Sequence, residues 1–234
     1  MIKINRIKTH IPGFDELIEG GFPEGSINLL SGDAGTGKTI FSLQYLYNCT
    51  VINKENTIYF TFEEKKQSLI TQAKQFGWDI EKLENKKKGG LKIISIGYEE
   101  ISKNTAGDLI EIIKNTKTKN IVIDSITTLA FLIPKSQQNC NSDENEIKKF
   151  VYLFLTKLKK INNLTSIIIS QKDSNNLDNL SKYVCDGVME IKYESLGGDY
   201  SRTLVIKKMR QTKNNEDLHP LEICKEGIKI HSLE

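Results

Sequence analysis

Gly32-Asp33-Ala34-Gly35-Thr36-Gly37-Lys38-Thr39 is the segment that most restricts what this chain can become. It satisfies G-x-x-x-x-G-K-[ST], with Gly35 as a third glycine, and lies between an apolar run at 27–30 and an amphipathic stretch at 39–49. A strand that enters a Gly-rich turn and leaves as a helix is the context in which this pattern forms a phosphate loop. Glycines admit positive φ, so successive backbone N–H groups can face one centre and surround phosphate oxygens. The start of the following helix adds partial positive charge. The predicted nucleotide-binding residues are Gly32, Ala34, Gly35, Thr36, Gly37, Lys38, Thr39 and Ile40. Lys38 reaches the β- and γ-phosphates, and the Thr39 hydroxyl serves as a ligand for Mg²⁺.

The remainder of the chain agrees with an α/β fold. Apolar runs at 27–30, 57–62, 91–96, 120–124 and 166–170 alternate with helix-like patterns at 39–49, 66–76, 106–114 and 144–161. The last has Ile147, Phe150, Val151, Phe154, Leu155 and Leu158 at the spacing of one buried helix face. Strands alternating with helices of this length predict a mainly parallel sheet covered on both sides. After about Gly187 the pattern changes to strands at 187–194, 200–210, 220–224 and 228–231. Gly197-Gly198-Asp199 and Lys225-Glu226-Gly227 are the predicted reversals of an antiparallel extension. The polar stretch 136–145 reads as an exposed loop.

The chain of 234 residues is 38% hydrophobic, enough to build one sizeable core, and we read 1–234 as a single domain. No apolar run reaches the roughly 18 residues of a membrane span, and the start of the chain lacks a signal-peptide apolar stretch, so a soluble cytoplasmic protein is expected. The net charge of +3 advertises neither a nucleic-acid nor a membrane surface. The four cysteines, Cys49, Cys140, Cys185 and Cys224, and the three histidines are too dispersed for a zinc site. Only Arg6, Arg202 and Arg210 are arginines among 33 Lys and Arg residues, which draws attention to each as a bidentate phosphate ligand.

Two carboxylates complete the predicted chemistry. Ile121-Val122-Ile123-Asp124 is an apolar strand ending in an acid, placed to hold Mg²⁺, with Asp124 acting through a water. The strand at 57–62 ends in Glu63-Glu64. A glutamate at the carboxyl end of a parallel strand can orient a water in line with a γ-phosphate. Adjacent acids on an extended chain point to opposite sides, so one of the two does this. We assign Glu63 as the base and Glu64 as a supporting or capping group. Asn53-Lys54-Glu55-Asn56 and Asn85-Lys86-Lys87-Lys88 both lack the final Asp of the guanine-reading N-K-x-D, which favours ATP over GTP.

Taken in order, further segments resemble the KaiC-like ATPases of the RecA superfamily. They are Ile11-Pro12-Gly13-Phe14-Asp15-Glu16-Leu17, Gly20-Gly21-Phe22-Pro23-Glu24-Gly25-Ser26, the phosphate loop, Phe62-Glu63-Glu64, Phe76-Gly77-Trp78-Asp79, Ile123-Asp124-Ser125-Ile126-Thr127, Asp186-Gly187-Val188 and Lys208-Met209-Arg210. The resemblance covers about residues 8–231. It implies a RecA-type core, ATP bound between subunits and a homo-oligomer, a hexameric ring. It also implies that Lys208 and Arg210, two apart on a predicted strand, reach the γ-phosphate of the neighbouring subunit. Two departures stand out. Ile167-Ile168-Ile169-Ser170 is followed by Gln171, where many KaiC-like chains carry Glu; a glutamine there resembles the γ-phosphate sensor of RecA-type recombinases and helicases. The positions of the phosphorylated Ser-Thr pair in the clock protein's second half hold Lys182 and Tyr183, which argues against clock-type autophosphorylation.

The expected activity is Mg-dependent ATP hydrolysis in an oligomeric regulatory switch with a protein partner. Two alternatives stay open: a nucleic-acid-dependent motor, and an ATP-binding scaffold with little hydrolysis. For the motor, the pore loops would be 136–145 and 172–182. They are poor in aromatics, and Lys172 and Lys182 are offset by Asp173 and Asp178, so nucleic acid is not the favoured partner. The retained Glu63 argues against the scaffold.

Overall fold

The computed structural model describes residues 4–84, 86, 88–102, 104–132, 143–171, 177–194 and 201–232. In chain order its elements are β1 (Arg6–Ile7), β2 (Phe22–Pro23), β3 (Ile27–Gly32), α1 (Lys38–Val51), β4 (Thr57–Thr61), α2 (Lys66–Gln75), α3 (Glu81–Glu84) and β5 (Leu91–Ser95). There follow α4 (Thr105–Asn115), β6 (Asn120–Asp124), α5 (Ile126–Leu132), α6 (Asp143–Lys159), β7 (Thr165–Gln171) and α7 (Leu177–Val184). The chain then adds β8 (Gly187–Tyr193), β9 (Arg202–Met209), β10 (His219–Cys224) and β11 (Gly227–Ile230).

Nine strands form one sheet in the order β11-β10-β9-β8-β3-β7-β6-β4-β5. From β5 to β8 every pairing is parallel, and β8 to β11 pair antiparallel. The expected mainly parallel sheet with an antiparallel C-terminal extension is therefore what the chain forms. β3 lies between β7 and β8 and is buried along its whole length, as a central parallel strand covered on both faces must be.

Alternation along each strand divides the core in two. Leu30, Tyr59, Val122, Ile167 and Ile169 face α1, where Phe41, Tyr45 and Leu46 meet them. Leu29, Ile58, Phe60, Ile121, Ile123 and Ile168 face the other way, against Leu109 and Ile113 of α4 and Val151, Phe154, Leu155 and Leu158 of α6. These α6 residues are the face that the helical spacing predicted. Beside α1, Phe14, Phe22, Phe41 and Tyr45 pack edge to face at centroid distances of 5.1–5.5 Å.

The structure corrects two loop expectations. Residues 143–145 of the predicted 136–145 loop begin α6, and the remainder lies outside the described residues. Within 172–182, residues from Leu177 onward belong to α7, which packs Leu180 and Val184 against the α6 side of the core. The asparagines and aspartates of this stretch hide a short amphipathic helix. The predicted Gly197-Gly198-Asp199 reversal lies outside the described residues, whereas Lys225-Glu226 forms the turn between β10 and β11. No helix among the described residues is long and apolar enough to cross a membrane.

Candidate active site

The phosphate loop leaves β3 at its carboxyl end, and two glycines show why its sequence is so restricted. Gly32 has φ 154°, and a Cβ there would stand 2.3 Å from the Ile191 carbonyl oxygen of β8. Gly37, at the start of α1, has φ 106° and lies under Ile223 of β10, whose Cδ1 would be 3.2 Å from an added Cβ. Neither position tolerates a side chain without moving a neighbour. Lys38 folds back so that Nζ donates to the carbonyls of Gly32 and Asp33, both at 2.8 Å. It is buried, which lowers its pKa, while Asp124, Glu63 and Asp33 act in the opposite direction.

A cavity of about 270 Å³ opens over the loop. Its walls include Gly35, Lys38, Thr39, Glu63, Asp124 and Gln171. These residues come from the carboxyl ends of β3, β4, β6 and β7, the edge at which parallel α/β sheets bind ligands. Asp124 ends β6 and is buried; Oδ2 accepts from Tyr59 Oη at 2.5 Å and from Thr39 Oγ1 at 3.2 Å. Burial pushes its carboxyl up to about 6, the two donated hydrogen bonds act downward, and the charge of Glu63 adds to the rise.

Glu63 does not sit on extended chain as expected. β4 stops at Thr61, whose Oγ1 accepts from the backbone N–H groups of Glu63 (3.3 Å) and Glu64 (3.0 Å), so the chain turns before the acids. The turn separates their roles. Glu64 accepts from Ser68 Oγ at 2.9 Å in the first turn of α2, whereas Glu63 faces the cavity. Glu63 Oε1 accepts from Ser125 Oγ at 2.7 Å and from the Thr128 hydroxyl, and Gln171 Nε2 lies 3.4 Å from both carboxylate oxygens. Sequence reasoning missed Tyr59, Ser125 and Thr128; the one signal was Ser125-x-x-Thr128 immediately after the strand-ending Asp124.

The donor set next to the loop is all oxygen: the Thr39 hydroxyl and the Asp124 carboxylate. Among the described residues no three His, Cys, Asp or Glu gather into a self-sufficient metal cage. One or two protein oxygens beside a phosphate loop fit Mg²⁺, which keeps several waters and takes its remaining ligands from substrate phosphates.

Lys208 and Arg210 lie elsewhere. Lys208 pairs with Val188 near the start of β8, whereas Gly32 pairs with Ile191, three residues further along. At ~3.3 Å per residue the pair is offset by about 10 Å from the loop, toward the opposite edge of the sheet. Lys208 Nζ donates to the carbonyls of Cys185 (2.6 Å) and Lys182 (3.0 Å), closing the end of α7. Arg210, one residue past β9, donates to Asp186 Oδ1 at 3.1 Å, an oxygen that Lys159 Nζ also reaches at 2.6 Å. Lys207 is the extra residue of a bulge opposite Val188 and Met189, and it pairs with the buried Glu190.

Of the other arginines, Arg6 is no phosphate ligand. It donates to the carbonyls of Ile18, Gly21 and Gln211 and pairs with Glu19 at 2.7 Å, tying the N-terminal segment down. Arg202 lies 4.9 Å above the Tyr193 ring, and the Tyr193 hydroxyl donates to the Gly35 carbonyl at 2.6 Å.

Comparison with known proteins gives a consistent picture. Residues 7–234 match the family described as ATPase: KaiC. A UPF0273 protein of Thermotoga maritima is 32% identical, the match covering 99% of this chain and 98% of the relative. The circadian clock oscillator protein KaiC of Synechococcus elongatus is 31% identical over 98% of this chain but only 45% of its own length. The crystal structure of a KaiC-like protein from Pyrococcus horikoshii superposes with a TM-score of 0.83 at 30% identity, covering 98% of this chain and all of that one.

Proposed function

We propose, from the premise that the chain belongs to the KaiC-type ATPase family, that it binds Mg-ATP and hydrolyses the γ-phosphate. The observation that carries this reading is the meeting of Lys38, Thr39, Asp124, Glu63 and Gln171 around one cavity over the phosphate loop. The loop amides and Lys38 bind the phosphates, and a phosphate oxygen takes the place of the Gly32 and Asp33 carbonyls at Nζ. Thr39 and Asp124 hold the metal, which when bound neutralises charge on the β- and γ-oxygens. Glu63, steadied by Ser125 and Thr128, orients a water toward the γ-phosphate and accepts its proton. Absence of a guanine-reading motif supports ATP as the nucleotide.

The site is incomplete within one chain. Lys208 and Arg210 cannot reach their own phosphates from the opposite edge, which supports their acting on the nucleotide of a neighbouring copy in a ring, hexameric as the resemblance implies. The buried Cys49 and Cys185 thiols suit a reducing, cytoplasmic setting. A regulatory switch is the use of turnover that we favour: Gln171, touching Glu63, ends β7, and the next described element, α7, ends on the carbonyls that hold Lys208. Steady-state Mg-ATP turnover, with and without single-stranded DNA, tests this reading. Slow, DNA-indifferent turnover is expected. A tenfold stimulation would replace the switch with a nucleic-acid motor, and no turnover at all would leave an ATP-binding scaffold.

A further inference from the structure

Tyr59 sits in the middle of β4, fully buried, on the sheet face that packs against α1. A hydroxyl in such a place costs free energy unless it finds a partner, and a phenylalanine would fill the same space without that demand. The partner here is the carboxylate at the end of the adjacent strand. Tyr59 pairs with Val122, so its ring leaves the same face as Asp124 two residues on, and Oη reaches Oδ2 at 2.5 Å. Thr39 Oγ1 donates to that same oxygen at 3.2 Å. Both donors fall on Oδ2, and among the described residues Oδ1 receives no hydrogen bond. A threonine hydroxyl that spends its proton on Oδ2 keeps its lone pairs for a cation.

We infer that Tyr59 is a positioning residue for the divalent cation: it locks the Asp124 carboxylate so that Oδ1 meets the water shell of a metal held beside Thr39. The inference rests on the reading that Thr39 and Asp124 hold the metal. Tyr59 does not touch the reacting atoms. Its side chain is sealed in the core, and burial holds the phenol proton on far above its usual range. It acts only through Asp124, as partners behind metal ligands do elsewhere, where their loss costs about 10–100-fold in metal affinity.

The test is Tyr59→Phe, titrated with Mn²⁺ in the presence of ADP and followed by electron paramagnetic resonance. The expected result is a Mn²⁺ dissociation constant raised about 10-fold or more, within that range, with metal-free ADP affinity and the apo melting midpoint close to the parent's. Turnover should then return to the parent value at saturating Mg²⁺, which a general packing defect would not allow. Should the variant be too short-lived to titrate, the rise in melting midpoint on adding Mn²⁺ to the ADP complex reads the same affinity. Asp124→Asn separates the two levels of the argument. If it leaves Mn²⁺ affinity unchanged, the metal assignment itself falls. If it weakens Mn²⁺ while Tyr59→Phe does not, Tyr59 is a packing residue and the inference is overturned.

Discussion

The two edges of the sheet hold their cations differently. At the phosphate-loop edge, Lys38 is buried and bound to the carbonyls of the loop that would receive a phosphate. Within reach are an oxygen-donor pair and a carboxylate fixed by two hydroxyls. At the other edge, Lys208 closes the end of α7 and Arg210 pairs with Asp186. One edge gathers the groups of the proposed site; the other holds charges whose local partners are structural. The difference teaches that a cation's neighbours within one chain show its folding role; in the trans reading, its chemical role waits for a second copy.

That comparison breaks most sharply at Arg210. In the trans reading Arg210→Ala loses about 10³-fold in turnover, the scale of a supplied arginine, while each subunit still binds ATP. Glu63→Gln follows, with a loss of at least ~100-fold and unchanged ATP affinity; near-parental turnover would remove Glu63 from the role of base. Mixing the two variants sharpens the contrast, because some interfaces regain both groups and activity should partly return. No recovery in intact assemblies would place Arg210 in its own subunit's structure alone.

Smaller effects separate folding from chemistry. Lys208→Met removes a charged donor from the α7 carbonyls, worth about 1–2 kcal/mol of stability, and should also slow turnover. A lower unfolding midpoint in urea with full turnover would reduce Lys208 to a helix cap. The least effect is expected at His219 in β10, a buried ring whose pKa is lowered by burial and only partly supported by Asp217. A depressed histidine means that the unfolded chain takes up the proton first as pH falls below about 6.5, so stability declines in that direction. His219→Phe should flatten the decline in melting midpoint; an unchanged slope would assign it to other groups.

The sequence was most legible where local physics leaves one solution. The glycines of the phosphate loop, the strand ending in Asp124 and the apolar face of α6 each announce themselves within a few residues. What stayed hidden depends on distant partners or on competing signals. The Thr61 hydroxyl ends β4 early and turns Glu63 away from Glu64, a choice that the apolar Phe62 disguises. The polar residues around α7 mask a helix whose apolar side becomes visible only against α6. Tyr59 reads as one more strand aromatic until β6 is laid beside it. Arg6 resembled a phosphate ligand by rarity alone, and its partners are the Glu19 carboxylate, the Thr212 hydroxyl and carbonyls 12 to 205 residues away along the chain.

The hairpin of β10 and β11 has a consequence for how such a chain comes into being. Ile228 exchanges two backbone hydrogen bonds with the Gln44 side chain of α1 across 184 residues, and Ile223 walls the loop at Gly37. Contacts so distant in sequence form late and slowly, because their loop-closure entropy must be met first. A nascent chain that has left the ribosome only as far as residue 200 already contains the loop, the carboxylates and Gln171, but neither Lys208 nor Arg210. It still lacks the wall that backs the loop and the bonds that fix the helix behind it. The proposed nucleotide site thus gains its back wall only with the final strands of the sheet, long after translation has passed the phosphate-loop motif.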